Sequence, residues 1–222
     1  MNYTVENPLP WCGLRPKPRL GRKTRNLWQR CLLLLGLALL ALLPASPAWA
    51  QSPEDESFWH ALTHTHFIEE GKKGPVVYLF LDPNCPYCHQ VYTWLQNPVR
   101  EGKIRLRVVV VGFLSPTSLP KAAAILAAKD PLQTLKENEE GFAIRDGLPS
   151  GGIAPASPAV VQKEAGILRR NLLFLQGKES LLANVPPNEV TVPLLVYRVA
   201  GKTHYLPTLP DLQQWKEIVG TG

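Results

Sequence analysis

Val76-Val-Tyr-Leu-Phe-Leu-Asp-Pro-Asn-Cys-Pro-Tyr-Cys-His89 runs an apolar, β-branched and aromatic stretch into a turn and then into two cysteines three residues apart. Val76–Leu81 has the content of a buried strand. Asp82-Pro83-Asn84 is turn chemistry. Pro86 suits the first turn of a helix, where a missing N–H is harmless. The spacing predicts a helix from there to about Gln96, before Asn97-Pro98. Two thiols on a strand-to-helix turn can close a disulfide and reopen it. Cys85 sits where unpaired N–H groups and the helix dipole favour an anion. A thiolate is the reactive form, and an unperturbed cysteine ionises at about 8.5. Cys85 is therefore the expected attacker, with its pKa depressed, and Cys88, one turn further in, the resolving thiol.

The rest of the chain bounds what these thiols can be. Residues 1–50 read as an export signal: a basic stretch from Arg15 to Arg30, the apolar run Leu32–Leu43, then small residues at Ala48 and Ala50. That run is 12 residues, short for a span of about 20, so cleavage is expected over a retained anchor. Of 24 Lys and Arg, seven lie in this leader, against one of 18 acidic residues. The remaining 172 residues carry 17 of each sign. The basic balance thus belongs to the leader, and no nucleic-acid partner is expected. Cys85 and Cys88 are the only cysteines after residue 50. A bridge closing so small a loop constrains little, which suits reaction better than stapling.

The same residues admit other chemistry. Cys85-Pro-Tyr-Cys88-His89 also fits the pattern of c-type haem attachment. Met1 is the only methionine, so a methionine ligand is absent from the exported part, and a strand entering the motif suits a redox dithiol better. His60, His64 and His66 do not share one helical face and read as surface or packing residues. No metal and no cofactor beyond the Cys85–Cys88 pair is expected.

Along the chain, Ser57–Glu70 reads as helical, after a frayed polar start at Ser52–Glu56. Gly71–Gly74 ends it. Ile104–Val111 is a second core strand. Lys121–Lys129, Pro131–Glu140 and Ala159–Gln176 have helical spacing, interrupted by a Pro/Gly/Ser segment, Leu148–Pro158. Val190–Val199 and Thr203–Leu206 read as a β-hairpin, and Leu209–Val219 as a closing helix. The class is α/β, with a helical insertion at about 118–185 between a βαβ half and a β-hairpin–helix half. The domain reading is 1–50 leader, 51–74 linker and helix, and 75–222 the main domain.

Phe58-Trp to Gly71-Lys-Lys, Val77 to Cys88, Val110-Val-Gly112, Lys121 to Pro131 and Leu209-Pro-Asp211 together resemble the thioredoxin-fold domain of the DsbC/DsbG disulfide isomerases, most of all its DsbG branch. The resemblance implies a thioredoxin-like fold and a periplasmic thiol:disulfide oxidoreductase, reductase or isomerase. Cys85 would be the nucleophile and Cys88 the resolving thiol, with Pro86 and Tyr87 as the active-site dipeptide. Thr191, Val192 and Pro193 would form a cis-proline loop whose backbone pairs with substrate. Exported cysteine-containing proteins would be the substrates, and a membrane reductant of the DsbD kind would recharge the pair. Three departures modify this. The family's N-terminal dimerisation domain has no counterpart before Phe58, so a monomer is expected. Val192 stands where the family carries threonine, and valine at that place is more like the oxidant DsbA. Leu79 stands where thioredoxin has a buried carboxylate. A DsbA-like oxidase, or a non-catalytic chaperone or assembly module of an envelope complex, remain as alternatives.

Overall fold

The computed structural model describes residues 53–176 and 190–220. The leader, and the end of the expected insertion beyond Gln176, lie outside them. The apolar run Val76–Leu81 is strand β2, central in a sheet of five. Around it are β1 (Ile68–Glu70), β3 (Arg105–Val110), β6 (Leu194–Val199) and β7 (Lys202–Leu206), in the order β1-β3-β2-β6-β7. β2 pairs parallel with β3, and all other pairings are antiparallel. A parallel pair needs a crossover, and helix α2 (Pro86–Arg100) supplies it.

Why β2 is apolar throughout follows from what covers it. Val77, Leu79 and Leu81 face one core with Val91, Tyr92, Leu95 and Val99 of α2 and Ile218 of α6 (Leu212–Val219). Tyr78 and Phe80 face a second core with Phe58 and Leu62 of α1 (Pro53–Leu62) and Leu175 of α5 (Pro158–Gln176). A sheet buried on both faces leaves no position for a polar alternation. The β2–α2–β3 unit, the β6–β7–α6 unit and their shared sheet make a thioredoxin-like fold. Between β3 and β6 lie α3 (Ser118–Ala127), α4 (Pro131–Glu140), the two-stranded ribbon β4 (Ala143–Arg145) and β5 (Leu148–Ser150), and α5.

Four expectations need correction. The segment Ser57–Glu70 is not one helix. α1 starts at Pro53 and stops at Leu62, where the Thr63 and Thr65 hydroxyls donate to the carbonyls of His60 and Leu62, the local bonding that competes with helix. Ile68–Glu70 then pairs with Val108–Leu106, with Ile68 and Glu70 buried and Glu69 exposed. Second, α2 does not end at Gln96 but passes through Pro98 to Arg100. A proline inside a helix costs about 3 kcal/mol; here Pro98 and Val99 are both buried, and that burial offsets the cost. Third, the Pro/Gly/Ser segment contains strand β5, paired with β4. Finally, α6 begins at Leu212, because Asp211 is its cap. The Asp211 side chain accepts from the Gln214 N–H while the Gln214 side chain accepts from the Asp211 N–H, a capping box.

Gly74 sets the entry of β2. Its φ is +88°, and a Cβ there would run into the Lys103 carbonyl. Gly74→Ala is expected to cost about 1–3 kcal/mol, read as a lower urea midpoint with an unchanged m-value. An unaltered midpoint would show that this turn does not constrain β2.

Candidate active site

Strand β2 ends at Leu81, and the chain turns through Asp82-Pro83-Asn84, closed by the Cys85 N–H donating to the Asp82 carbonyl at 3.0 Å. Cys85 is the N-cap of α2, with extended backbone (φ −82°, ψ 116°). Its sulfur takes the place of the usual capping oxygen, accepting the Cys88 backbone N–H at 3.1 Å. The Cys85 carbonyl accepts from the His89 N–H at 3.0 Å, the first bond of the helix. Pro86 is at the first helical position, and Tyr87 is 59% exposed.

These contacts separate the two thiols. The Cys85 pKa is lowered, first by the hydrogen bond from the Cys88 thiol, further by the Cys88 and Tyr87 backbone N–H groups, and against the opposing pull of burial and of the Asp82 charge. Cys88 goes the other way, well above the ordinary range, because it is wholly buried and faces the Cys85 anion. Both are free thiols.

Val192–Pro193 is a cis bond. The loop reaches the thiols because β6 starts one residue later and pairs Leu194 with Phe80 near the end of β2. The Val192 carbonyl lies 3.8 Å from the Cys85 sulfur, within reach of its S–H when protonated. Thr191 and Val192 are half-buried and Pro193 is buried. Cys85 itself is only 2% exposed, roofed by this loop on one side and bordered by the exposed Pro86–Tyr87 edge on the other.

Leu79 is buried in β2, so the acidic group acting on the thiols is a different one. Asp82 is buried and fully engaged. It accepts from the Asn84, Phe113 and Leu114 N–H groups and from the Ser118 hydroxyl, at 2.7–3.0 Å. Asn84 donates to Ser115 and Thr117 and accepts from the Gly151 N–H and from Lys121. Lys121, at 3% exposure, divides its ammonium between Asn84 Oδ1 (3.1 Å), Ser150 Oγ (2.7 Å) and the Gly151 carbonyl (2.7 Å). Burial lowers its pKa, and the Arg145 charge adds to this. On the far side of the turn, Asn138 donates to the Pro83 carbonyl, and His89 Nδ1 lies 3.1 Å from the buried Glu139 while its ring stacks on Phe142. The thiols and the proline loop are legible in the sequence, but this web is not. Its partners are about 30 to 67 residues apart, so no local pattern announces them.

His60, His64 and His66 are all exposed. Among the described residues no group of three or more His, Cys, Asp or Glu is placed to hold a metal ion, and no helix is long and apolar enough to cross a membrane.

The sheet order, the N-capping thiol and the buried partner one turn on define a thioredoxin-fold dithiol protein. No family model matches the chain. It is 40% identical over 90 residues to the thiol:disulfide interchange protein DsbG of Escherichia coli K12, covering 40% of this chain and 36% of that protein. It is 30% identical over 172 residues to DsbG of Pseudomonas aeruginosa PAO1, covering 76% of this chain and 61% of that one. The chain is DsbG-like, and it spans about a third of one relative and three fifths of the other. Among solved structures it is similar to a periplasmic thioredoxin-like protein from Salmonella enterica serovar Typhimurium (TM-score 0.49, 16% identity, 72% of this chain and 93% of that one). It is also similar to Helicobacter pylori DsbG (TM-score 0.40, 16% identity, 83% and 74%).

The opposed pKa shifts give the reduced protein a stability profile with a definite sign. Cys85 is depressed in the fold, so its contribution is present above the unfolded value of about 8.5 and is lost as pH falls through the folded value. Cys88 is raised, so above about pH 8.5 the unfolded chain ionises it and the fold does not. Stability of the reduced protein, relative to a Cys85→Ser/Cys88→Ser variant, should rise with pH up to about 8.5 and fall beyond. Urea midpoints across pH 5–10 would check it, and a monotonic difference would contradict the opposed assignment.

Proposed function

We propose that this chain is a periplasmic thiol:disulfide oxidoreductase, DsbG-like in acting as a disulfide reductase or isomerase through Cys85 and Cys88. The observation carrying the reading is the Cys88 N–H at 3.1 Å from the Cys85 sulfur, which favours Cys85 as the anion while burial keeps its partner protonated.

The Cys85 thiolate attacks one sulfur of a substrate disulfide. That S–S bond breaks, a mixed disulfide forms, and the expelled substrate thiolate takes up a proton. Two exits follow. Cys88 can lose its proton and attack the Cys85 sulfur, expelling the second substrate sulfur as a thiol. The protein is then oxidised by two electrons and the substrate reduced by two, so a reductant of the DsbD kind must restore the pair. Alternatively, another substrate thiol attacks the mixed disulfide, and the bond is reshuffled with no net electron transfer. Burial, the largest cause of the raised Cys88 pKa, acts in the mixed disulfide as well; it keeps the thiolate fraction small, which slows the first exit and gives the second time to compete.

The loop at Thr191–Pro193 would hold the substrate backbone beside the thiols. With Cys85 2% exposed, this loop or the Pro86–Tyr87 edge yields before a polypeptide disulfide reaches the sulfur. Exported cysteine-containing proteins are the substrates this reading implies.

Cys85→Ser should reduce disulfide exchange with scrambled ribonuclease to the uncatalysed rate. Cys88→Ala should accumulate mixed disulfides in the periplasm, visible as reducible adducts. Absence of both effects would remove the enzymatic reading. Equilibration of the pair with glutathione gives the direction, and a strongly oxidising potential of about −120 mV would reassign the protein as an oxidase.

A further inference from the structure

The ribbon in the insertion is not used by the dithiol chemistry. Asp146 and Gly147 have φ of 51° and 78°, the pair of left-handed positions of a type I′ turn. Arg145 and Leu148 face each other directly across that two-residue turn, and Ile144 faces Pro149. In such a hairpin the pair flanking the turn exchanges hydrogen bonds, and the next pair does not. The N–H and C=O of Ile144 therefore point away from β5, to the open side of β4. On the opposite edge, position 149 is proline and has no N–H to offer. The ribbon has one edge able to accept a strand and one that is blunted.

Its surroundings are unusual for so short an element. All three residues of β4 are exposed, Ile144 at 65%, and Leu148 in β5 is at 66%. Two strands alone are marginal in water, yet this pair is anchored at its base. Arg145 donates to the Gly141 and Gly151 carbonyls at 3.1 and 2.9 Å. The Gly152 N–H donates to the Asn138 carbonyl at 2.7 Å. Lys121 holds Ser150 and Gly151. The Gly151 N–H donates to Asn84 Oδ1 at 3.0 Å, and Asn84 immediately precedes Cys85. The base of the ribbon is one hydrogen bond from the turn that carries the nucleophile.

We propose that the outer edge of β4 takes up an extended segment of the substrate polypeptide as a third strand, with apolar side chains of that segment against Ile144. This rests on the thiol–disulfide reading above. The occupant follows from position. A substrate sulfur exchanging at Cys85 brings its own chain beside the turn whose Asn84 holds the base of the ribbon, and an extended segment gaining about 3.3 Å per residue runs on from there along the ribbon. A native protein has its strands already paired beside its disulfides, whereas an unfolded or wrongly bridged one has free backbone there. The edge thus selects polypeptides whose cysteine lies in an unpaired, apolar extended segment.

The test uses two variants and two disulfides. Ile144→Pro removes the outward N–H without touching a ladder bond, and Ile144→Ser keeps the N–H while removing the apolar side chain. The reduced proteins react with a nine-residue peptide carrying a glutathionylated cysteine among Val and Leu, and with oxidised glutathione alone. Ile144→Pro should lower kcat/KM for the peptide about tenfold and Ile144→Ser several-fold, with the glutathione reaction within about twofold of wild type. Equal losses on both disulfides, or none on the peptide, would overturn the proposal. So would a wild-type dimer in sedimentation that Ile144→Pro converts to monomer, since the edge would then be occupied by a second copy. A wild-type protein inert toward oxidised glutathione would instead remove the dithiol reading on which the proposal stands.

Discussion

A single backbone N–H, that of Cys88, aimed at the sulfur of its own helix cap, is the contact from which the rest of the site takes its meaning. It requires Cys85 to be extended while Pro86 onward is helical, and hence a sharp corner at the end of β2. That corner holds only because β2 is pinned between two neighbours and packed on both faces. The apolar bulk of the sheet is a platform that fixes one turn of chain.

Hydrophobic burial alone does not shape that turn. Asp82, Asn84 and Lys121 are three polar side chains withdrawn from water, and each has its hydrogen-bonding groups engaged. A carboxylate accepting four bonds and an ammonium donating three are tolerable inside a protein only under such conditions. The arrangement sets direction as well as shape. The Asp82 charge opposes ionisation of Cys85, so its low pKa is a balance won by hydrogen bonds at the helix end against burial and a nearby negative charge.

What was legible in the sequence was whatever local pattern controls. Val76–Leu81 and the run Val108–Val110 are apolar because they are covered on both sides, and apolar runs of that kind read plainly. The Cys-Pro-Tyr-Cys turn and the β6–β7 hairpin carried local signals, and the cis bond before Pro193 was expected from the resemblance. Phe67 and Ile68 misled because two apolar residues fit a helical spacing as well as an alternating one, and only the pairing with β3 decides. Pro98 looked like a terminator because the burial that offsets it is tertiary. Asp146-Gly147 is a hairpin signal that Pro149 and its neighbours masked. The web around Asn84 was beyond reach, since serine, threonine, asparagine and lysine dispersed over some seventy residues look the same whether solvated or clustered.

The amine of Lys121 has a further consequence. It ties the corner of the sheet to the arm of the insertion, and it has no water to fall back on if either end shifts. Drift in the arm's sequence, at Ser150 or around Gly151, would therefore be felt as a change in the sulfur chemistry some residues away. Such an insertion is free to vary only where it does not touch this knot. Reactivity in the domain can be retuned from a distance with both cysteines left as they are.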